Sequence, residues 1–98
     1  MAVKVLIKRK VSQSKVREMF SLFKQMRVMA NEQSGYISGE TLKRLDSRDE
    51  FLVISMWQSD EDWGKWLNSR ERQSVQKQID ALLGGKTDYE IYFYGIKE

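Results

Sequence analysis

Residues 51–57, Phe-Leu-Val-Ile-Ser-Met-Trp, constrain the fold of this chain more than any other stretch. The run is apolar and contains β-branched Val53 and Ile54, so it reads as a strand. Successive side chains of a strand point to opposite faces, which sends Phe51, Val53 and Trp57 one way and Leu52, Ile54 and Met56 the other. Both sets are apolar, and apolar area of that size left on a monomer is usually an interface. The strand therefore has to be covered twice.

The neighbouring patterns say what supplies the first cover. Val3, Val5 and Ile7 alternate with Lys4, Leu6 and Lys8, the period of a first strand. Ser12 or Ser14 can cap a long helix whose Val16, Met19, Phe20, Phe23, Met26 and Ala30 share one face, with Gly35 as its left-handed C-cap. Tyr36 to Leu45 reads as a second strand, joined to Phe51–Trp57 by a short turn at Ser47-Arg48-Asp49. Ser59 and Asp62 have capping-box spacing, which opens a helix carrying Trp63, Trp66 and Leu67 inward. Ser69 looks like a second cap, so this helix breaks and restarts through Val75, Ile79, Leu82 and Leu83 until Gly84-Gly85 ends it. In the last strand, Tyr89 to Tyr94, Tyr89, Ile91 and Phe93 oppose Glu90, Tyr92 and Tyr94. The order predicts an α+β, ferredoxin-like βαββαβ fold with a four-stranded antiparallel sheet, as one domain over 1–98. Two helices cover one face of such a sheet. The other face is expected to pack on the sheet of a twofold-related copy, making a homodimer.

Composition removes much chemistry. The 98 residues include no cysteine, histidine or proline. That rules out a disulfide framework, a thiolate nucleophile, an imidazole base, and Cys or His metal ligands. The acids Asp60-Glu61-Asp62 sit in a first helical turn, where the helix dipole favours them, and Asp46 and Asp49 flank a turn, so no metal is assigned. The net charge of +3 is too small to imply nucleic acid. Its basic N-terminal run, Lys4 through Arg17 before Glu18, reads as a solvated edge strand and helix start. RNA-recognition modules share this element order but stack bases on first- and third-strand aromatics. Val3 to Arg9 has no aromatic and Glu50 to Trp57 no glycine, so no nucleic-acid partner is expected. No apolar run spans a membrane, and Lys4 and Lys8 interrupt the one signal-like stretch, which makes the cytoplasm the default location.

Gly35-Tyr36, Phe51 to Trp57, Ser59 and Asp62-Trp63-x-x-Trp66-Leu67-x-Ser69 together resemble the antibiotic biosynthesis monooxygenase domain of the dimeric α+β barrel superfamily. The resemblance implies a homodimer with facing sheets. One branch of that family degrades haem with a strand Asn, a Trp and a His iron ligand; the matching positions here are Lys8, Trp66 and Gln76. With two of three changed and no histidine elsewhere, that route is disfavoured. Another branch oxidises phenols and quinols with neither metal nor flavin. It implies no cofactor, and as partners a small hydrophobic molecule and dioxygen.

Such chemistry needs a dry, aromatic-lined cavity with a few polar groups that hold a substrate anion. The resemblance makes Trp66, Gln76 and Lys8 the catalytic candidates, as wall, hydrogen-bond donor and phenolate partner, and Asn31, Tyr36 and Trp57 the substrate-binding ones. Each has a plain structural alternative. Trp57, Trp63 and Trp66 can be core, Lys8 can be a surface lysine, and Gln76 can belong to a solvated face with Gln73 and Gln78. The rival function is a non-enzymatic dimeric module whose interior is filled by its own Phe, Met and Trp side chains. An open cavity beside Trp66 and Gln76 separates the two readings.

Overall fold

A computed structural model of the chain describes residues 1–94; the last four residues of the expected domain lie outside the described ones. The elements follow the predicted order: β1 (Val3–Lys10), a 3-10 turn (Gln13–Lys15), α1 (Val16–Asn31), β2 (Tyr36–Lys43), β3 (Glu50–Trp57), α2 (Asp60–Leu67), α3 (Arg70–Leu83) and β4 (Glu90–Phe93). The four strands form one sheet in the order β2-β3-β1-β4 with every pair antiparallel, the ferredoxin-like arrangement. None of the helices is long and apolar enough to cross a membrane.

Register decides what each side chain meets. Val3 lies opposite Trp57, Ile7 opposite Val53 and Arg9 opposite Phe51. One face of the sheet therefore carries Val3, Val5, Ile7, Arg9, Phe51, Val53 and Trp57, and it packs against Ala30, Trp63, Trp66, Met19, Val75 and Ile79 of the helices. The other face carries Lys4, Leu6, Lys8 and Lys10 beside Leu52, Ile54 and Met56. The expectation that the basic N-terminal strand lies at an edge is corrected here. β1 is an inner strand with β3 on one side and β4 on the other, and its lysines are solvated because they face away from the helices.

The helix ends follow local chemistry. Ser59 Oγ accepts from the Asp62 backbone N–H at 3.1 Å, and Ser69 Oγ from that of Arg72 at 3.2 Å, so both expected caps form. α3 stops at Gly84, whose φ of 73° is the left-handed conformation. At α1 the outcome differs. Ser12 and Ser14 bond each other at 3.3 Å, neither caps, and the helix starts at Val16 behind the 3-10 turn. Gly35 lies in the turn beyond Glu32, the C-cap of α1, with φ 86°, and a Cβ there would collide with the Asp62 carboxylate. Glycine at this point thus lets the start of β2 lie against the start of α2. The second strand ends at Lys43 rather than Leu45, because Arg44 turns to bind Asp46 and Glu50, each at 2.6 Å.

Candidate functional site

The site grows from the end of β3. Trp57 is fully buried, and α2 begins just past it at the Ser59 cap. Residues three apart share a helix face, so Trp63 and Trp66 both turn back onto Trp57, with ring centroids 5.9 and 6.5 Å away. Tyr36, across the sheet on β2, meets Trp57 edge-on at 5.3 Å, and Tyr89 meets Trp63 at 5.5 Å. Beside this cluster is a half-open cavity of about 90 Å³ whose lining includes Tyr36, Trp57, Trp63, Trp66, Phe23 and Met26. Arg27 Nη2 and Thr41 Oγ1, also in the lining, lie 3.4 Å apart at the seam between α1 and β2.

Two further arginines belong to the lining, Arg9 from β1 and Arg72 from α3, and both are buried. A hydrogen-bond chain joins them. Arg72 Nη2 donates to the Tyr89 hydroxyl at 2.8 Å, and that hydroxyl donates to Gln76 Oε1 at 3.3 Å. Gln76 Nε2 donates to Asp80 Oδ1 at 2.8 Å and to Thr87 Oγ1 at 2.7 Å. Thr87 Oγ1 donates to Asp80 Oδ1 at 2.9 Å and accepts from Arg9 Nη1 at 2.7 Å. The Arg72 guanidinium also lies over the rings of Trp63 and Tyr89, 5.3 and 5.0 Å from their centroids. Burial pushes the Arg9 guanidinium below its ordinary value; Tyr89 and Asp80 oppose that shift and Arg72 adds to it. An arginine so placed remains a cation at neutral pH. Two buried donors have no partner among the described residues, Arg9 Nε and Trp63 Nε1. Those residues contain no metal-holding cluster of three or more acids.

Of the residues singled out from sequence, Trp66, Tyr36 and Trp57 come together in the cavity wall. Gln76 is buried outside the lining, in the network just described. Lys8 is on the opposite face of the sheet, mostly exposed and 3.8 Å from Glu90, because alternation along β1 turns it away from the helices and turns Arg9 toward them. Asn31 ends α1 in solvent and does not reach the lining. Arg9 and Arg72 were missed, although both carried a signal. Arg9 continues the buried phase of Val3, Val5 and Ile7, and Arg72 shares a helical face with Val75, Gln76 and Ile79.

The family model for the antibiotic biosynthesis monooxygenase matches residues 2–78, which include every element except the end of α3 and β4. The chain belongs to the antibiotic biosynthesis monooxygenase family. Solved structures agree on the fold of this family member. A conserved protein from Methanosarcina mazei Go1 superposes with TM-score 0.86 at 20% identity, covering 94% of this chain and 91% of that one. SnoaB, a cofactor-independent oxygenase from Streptomyces nogalater, gives TM-score 0.84 at 14% identity over 98% of this chain and 95% of its own. Rv0793 from Mycobacterium tuberculosis gives 0.84 at 14% identity over 100% and 98%. Among curated proteins nothing matches. In this monooxygenase-family domain, the position that the resemblance assigns to a haem-ligating histidine is Gln76, whose amide is fully engaged with Asp80, Thr87 and Tyr89.

Proposed function

We propose that this domain is a cofactor-independent monooxygenase whose substrate is a small phenol- or quinol-like molecule bound beside Trp57, Trp63 and Trp66. The observation that carries the reading is the pair of buried guanidiniums, Arg9 and Arg72, lining a cavity whose wall also holds Phe23, Tyr36, Trp57, Trp63 and Trp66. A cation within a few ångströms lowers the pKa of an acid, so a phenol there gives up its proton more readily, and the proton passes to solvent at the half-open side. The phenolate transfers an electron to dioxygen, and recombination at a ring carbon followed by loss of water gives a quinone. Phenol plus dioxygen yields quinone plus water: one oxygen atom enters the ring, the other leaves as water, and all four electrons come from the substrate. Trp57, Trp63 and Trp66 exclude water from this step.

Oxygen uptake with phenol or 1-naphthol tests the proposal. One dioxygen should be consumed per quinone without hydrogen peroxide, and Arg72→Gln should lower kcat/KM about 10²-fold, the effect of removing one preorganised donor to an oxyanion. Uptake no faster than the uncatalysed rate would defeat the reading, as would equal rates in Arg72→Gln, Trp66→Ala and Gln76→Ala. The cavity volume of about 90 Å³ favours one second reading, a dimeric module that binds a smaller ligand without turnover. An apolar cavity of about 150 Å³ is known to take benzene, so a ring here has to use the half-open side.

We also propose that a second copy covers the open face of the sheet. Leu6, Leu52, Ile54 and Met56 are only half-buried there, and Leu42 and Tyr92 are exposed. Light scattering at micromolar concentration should give a dimer, and Ile54→Asp, with its side chain on that face between Leu6 and Glu40, should give a folded monomer. A monomeric wild type would remove the proposal.

A further inference from the structure

We infer that the cavity selects a ligand with a carboxylate head, held by Arg9, Arg72 and the Trp63 indole N–H, so that the substrate class is an aromatic acid rather than a neutral ring. The inference rests on reading this cavity as the substrate site. Three observations on the same wall lead to it. First, Arg9 Nε and Trp63 Nε1 are buried donors without partners among the described residues, and both side chains line the one cavity. Buried N–H groups in native proteins are almost always paired, so two orphans in the wall of one cavity call for an acceptor, which a small shift of these side chains would admit. Second, the network holds two guanidiniums against the single carboxylate of Asp80, which leaves one positive charge unmatched. Arg27 and Glu40 also belong to the lining, and as one cation and one anion they leave that balance unchanged. Third, the free atom on Arg9 is Nε, while Nη1 is engaged with Thr87.

That last detail separates one anion from another. The Nε–H edge of a guanidinium presents two parallel donors that match the two oxygens of a carboxylate. A phenolate offers one oxygen and leaves half of that edge empty. The indole N–H of Trp63 is a third donor with no acceptor of its own. Burial already disfavours the charge on Arg9, and an anion beside it offsets that cost. The volume of about 90 Å³ suits a carboxylate head, with the ring lying toward the half-open side.

The test titrates the full chain with sodium benzoate and with benzamide, which has the same shape and no charge, at fixed ionic strength by calorimetry. Benzoate should bind once per chain and at least about tenfold tighter than benzamide. Trp63→Phe keeps a ring and removes the N–H, and it should weaken benzoate about fivefold while leaving benzamide unchanged. Arg9→Lys keeps the charge and loses the fork, and it should weaken benzoate about tenfold or more. Equal affinity for benzoate and benzamide overturns the inference, as does unchanged benzoate binding in both variants. If Arg9→Lys does not fold, the ratio in the wild type and the Trp63→Phe result decide. Oxygen uptake keeps the two proposals apart: benzoate preference without phenol oxidation sustains the carboxylate site and removes the reaction. Phenol oxidation without benzoate preference does the reverse.

Discussion

Trp57→Ala should lower stability by about 3–5 kcal/mol, the range for deleting a large buried aromatic, and should leave much of the protein unfolded at 37 °C. The reason is position as much as size. Trp57 is fully buried at the end of β3, contacts Tyr36, Trp63 and Trp66 through its ring, and donates its indole N–H to Ser55 Oγ at 3.0 Å. Removing it opens a void beside the existing cavity, at the centre of the cluster through which α2, only eight residues long, packs Trp63 and Trp66 against Val3, Val5 and Ile7 of the sheet. A domain has about 5–15 kcal/mol in total, so this one side chain decides whether the fold persists. Trp57→Phe keeps an aromatic contact and should recover more than half of the loss. Urea unfolding of the two variants measures both numbers. A cost below about 1 kcal/mol for Trp57→Ala would mean that the aromatic cluster is not what anchors α2.

The same strand shows why much of the fold was readable from sequence. Its two-sided apolar pattern demands cover on both faces, and Ser59, Ser69 and Gly84 fix the ends of α2 and α3 through interactions with residues at most four positions away. Local chemistry of that kind leaves a local signature. The start of α1 was harder for the same reason: Ser12 and Ser14 are both competent caps, and the 3-10 turn Gln13–Lys15, which contains Ser14, satisfies the chain by another route. That β1 is an inner strand depends on β4 arriving from residue 90, and nothing within Val3–Lys10 records which partner comes.

The site was legible in its aromatic half and less so in its polar half. Trp57 and Trp66 announce themselves by size and spacing, whereas Lys8 and Arg9 are adjacent cations and only the strand phase tells them apart. The phase was available in the sequence, since Val3, Val5 and Ile7 predict an inward ninth residue, whereas Lys8 enters only as the position that the resemblance matches to the family's strand Asn. Gln76 lies behind the cavity rather than in its lining. Its amide bridges Asp80, Thr87 and Tyr89 and so sets where Arg9 and Arg72 lie; it does not meet the cavity itself. Thr87 and Tyr89 come from the segment after α3, and their contact with Arg9 and Arg72 spans 78 and 17 residues, a closure that no local pattern encodes.

Asp80→Asn should destabilise the protein by about 3 kcal/mol, the lower end of the cost of leaving a buried charge without its partner. The lower end applies because Asp80 is half-buried and reaches Arg9 through Thr87 rather than directly. Asparagine can still accept from Gln76 and Thr87, so the substitution removes charge with little change in shape, and the loss reports on the two guanidiniums. Thr87→Val, which breaks the relay to Arg9 and keeps the charge, should cost about 1–3 kcal/mol by stranding buried donors. The sign of a second effect follows from the first. With the carboxylate gone, an anion in the cavity becomes the nearest counter-charge to Arg9 and Arg72, so benzoate should raise the urea midpoint of Asp80→Asn more than that of the wild type. An unfolding free energy for Asp80→Asn within about 0.5 kcal/mol of the wild type would mean that solvent already screens the arginine pair. In that event the excess positive charge would no longer attract an anion into the cavity, and the aromatic wall alone would set what binds there.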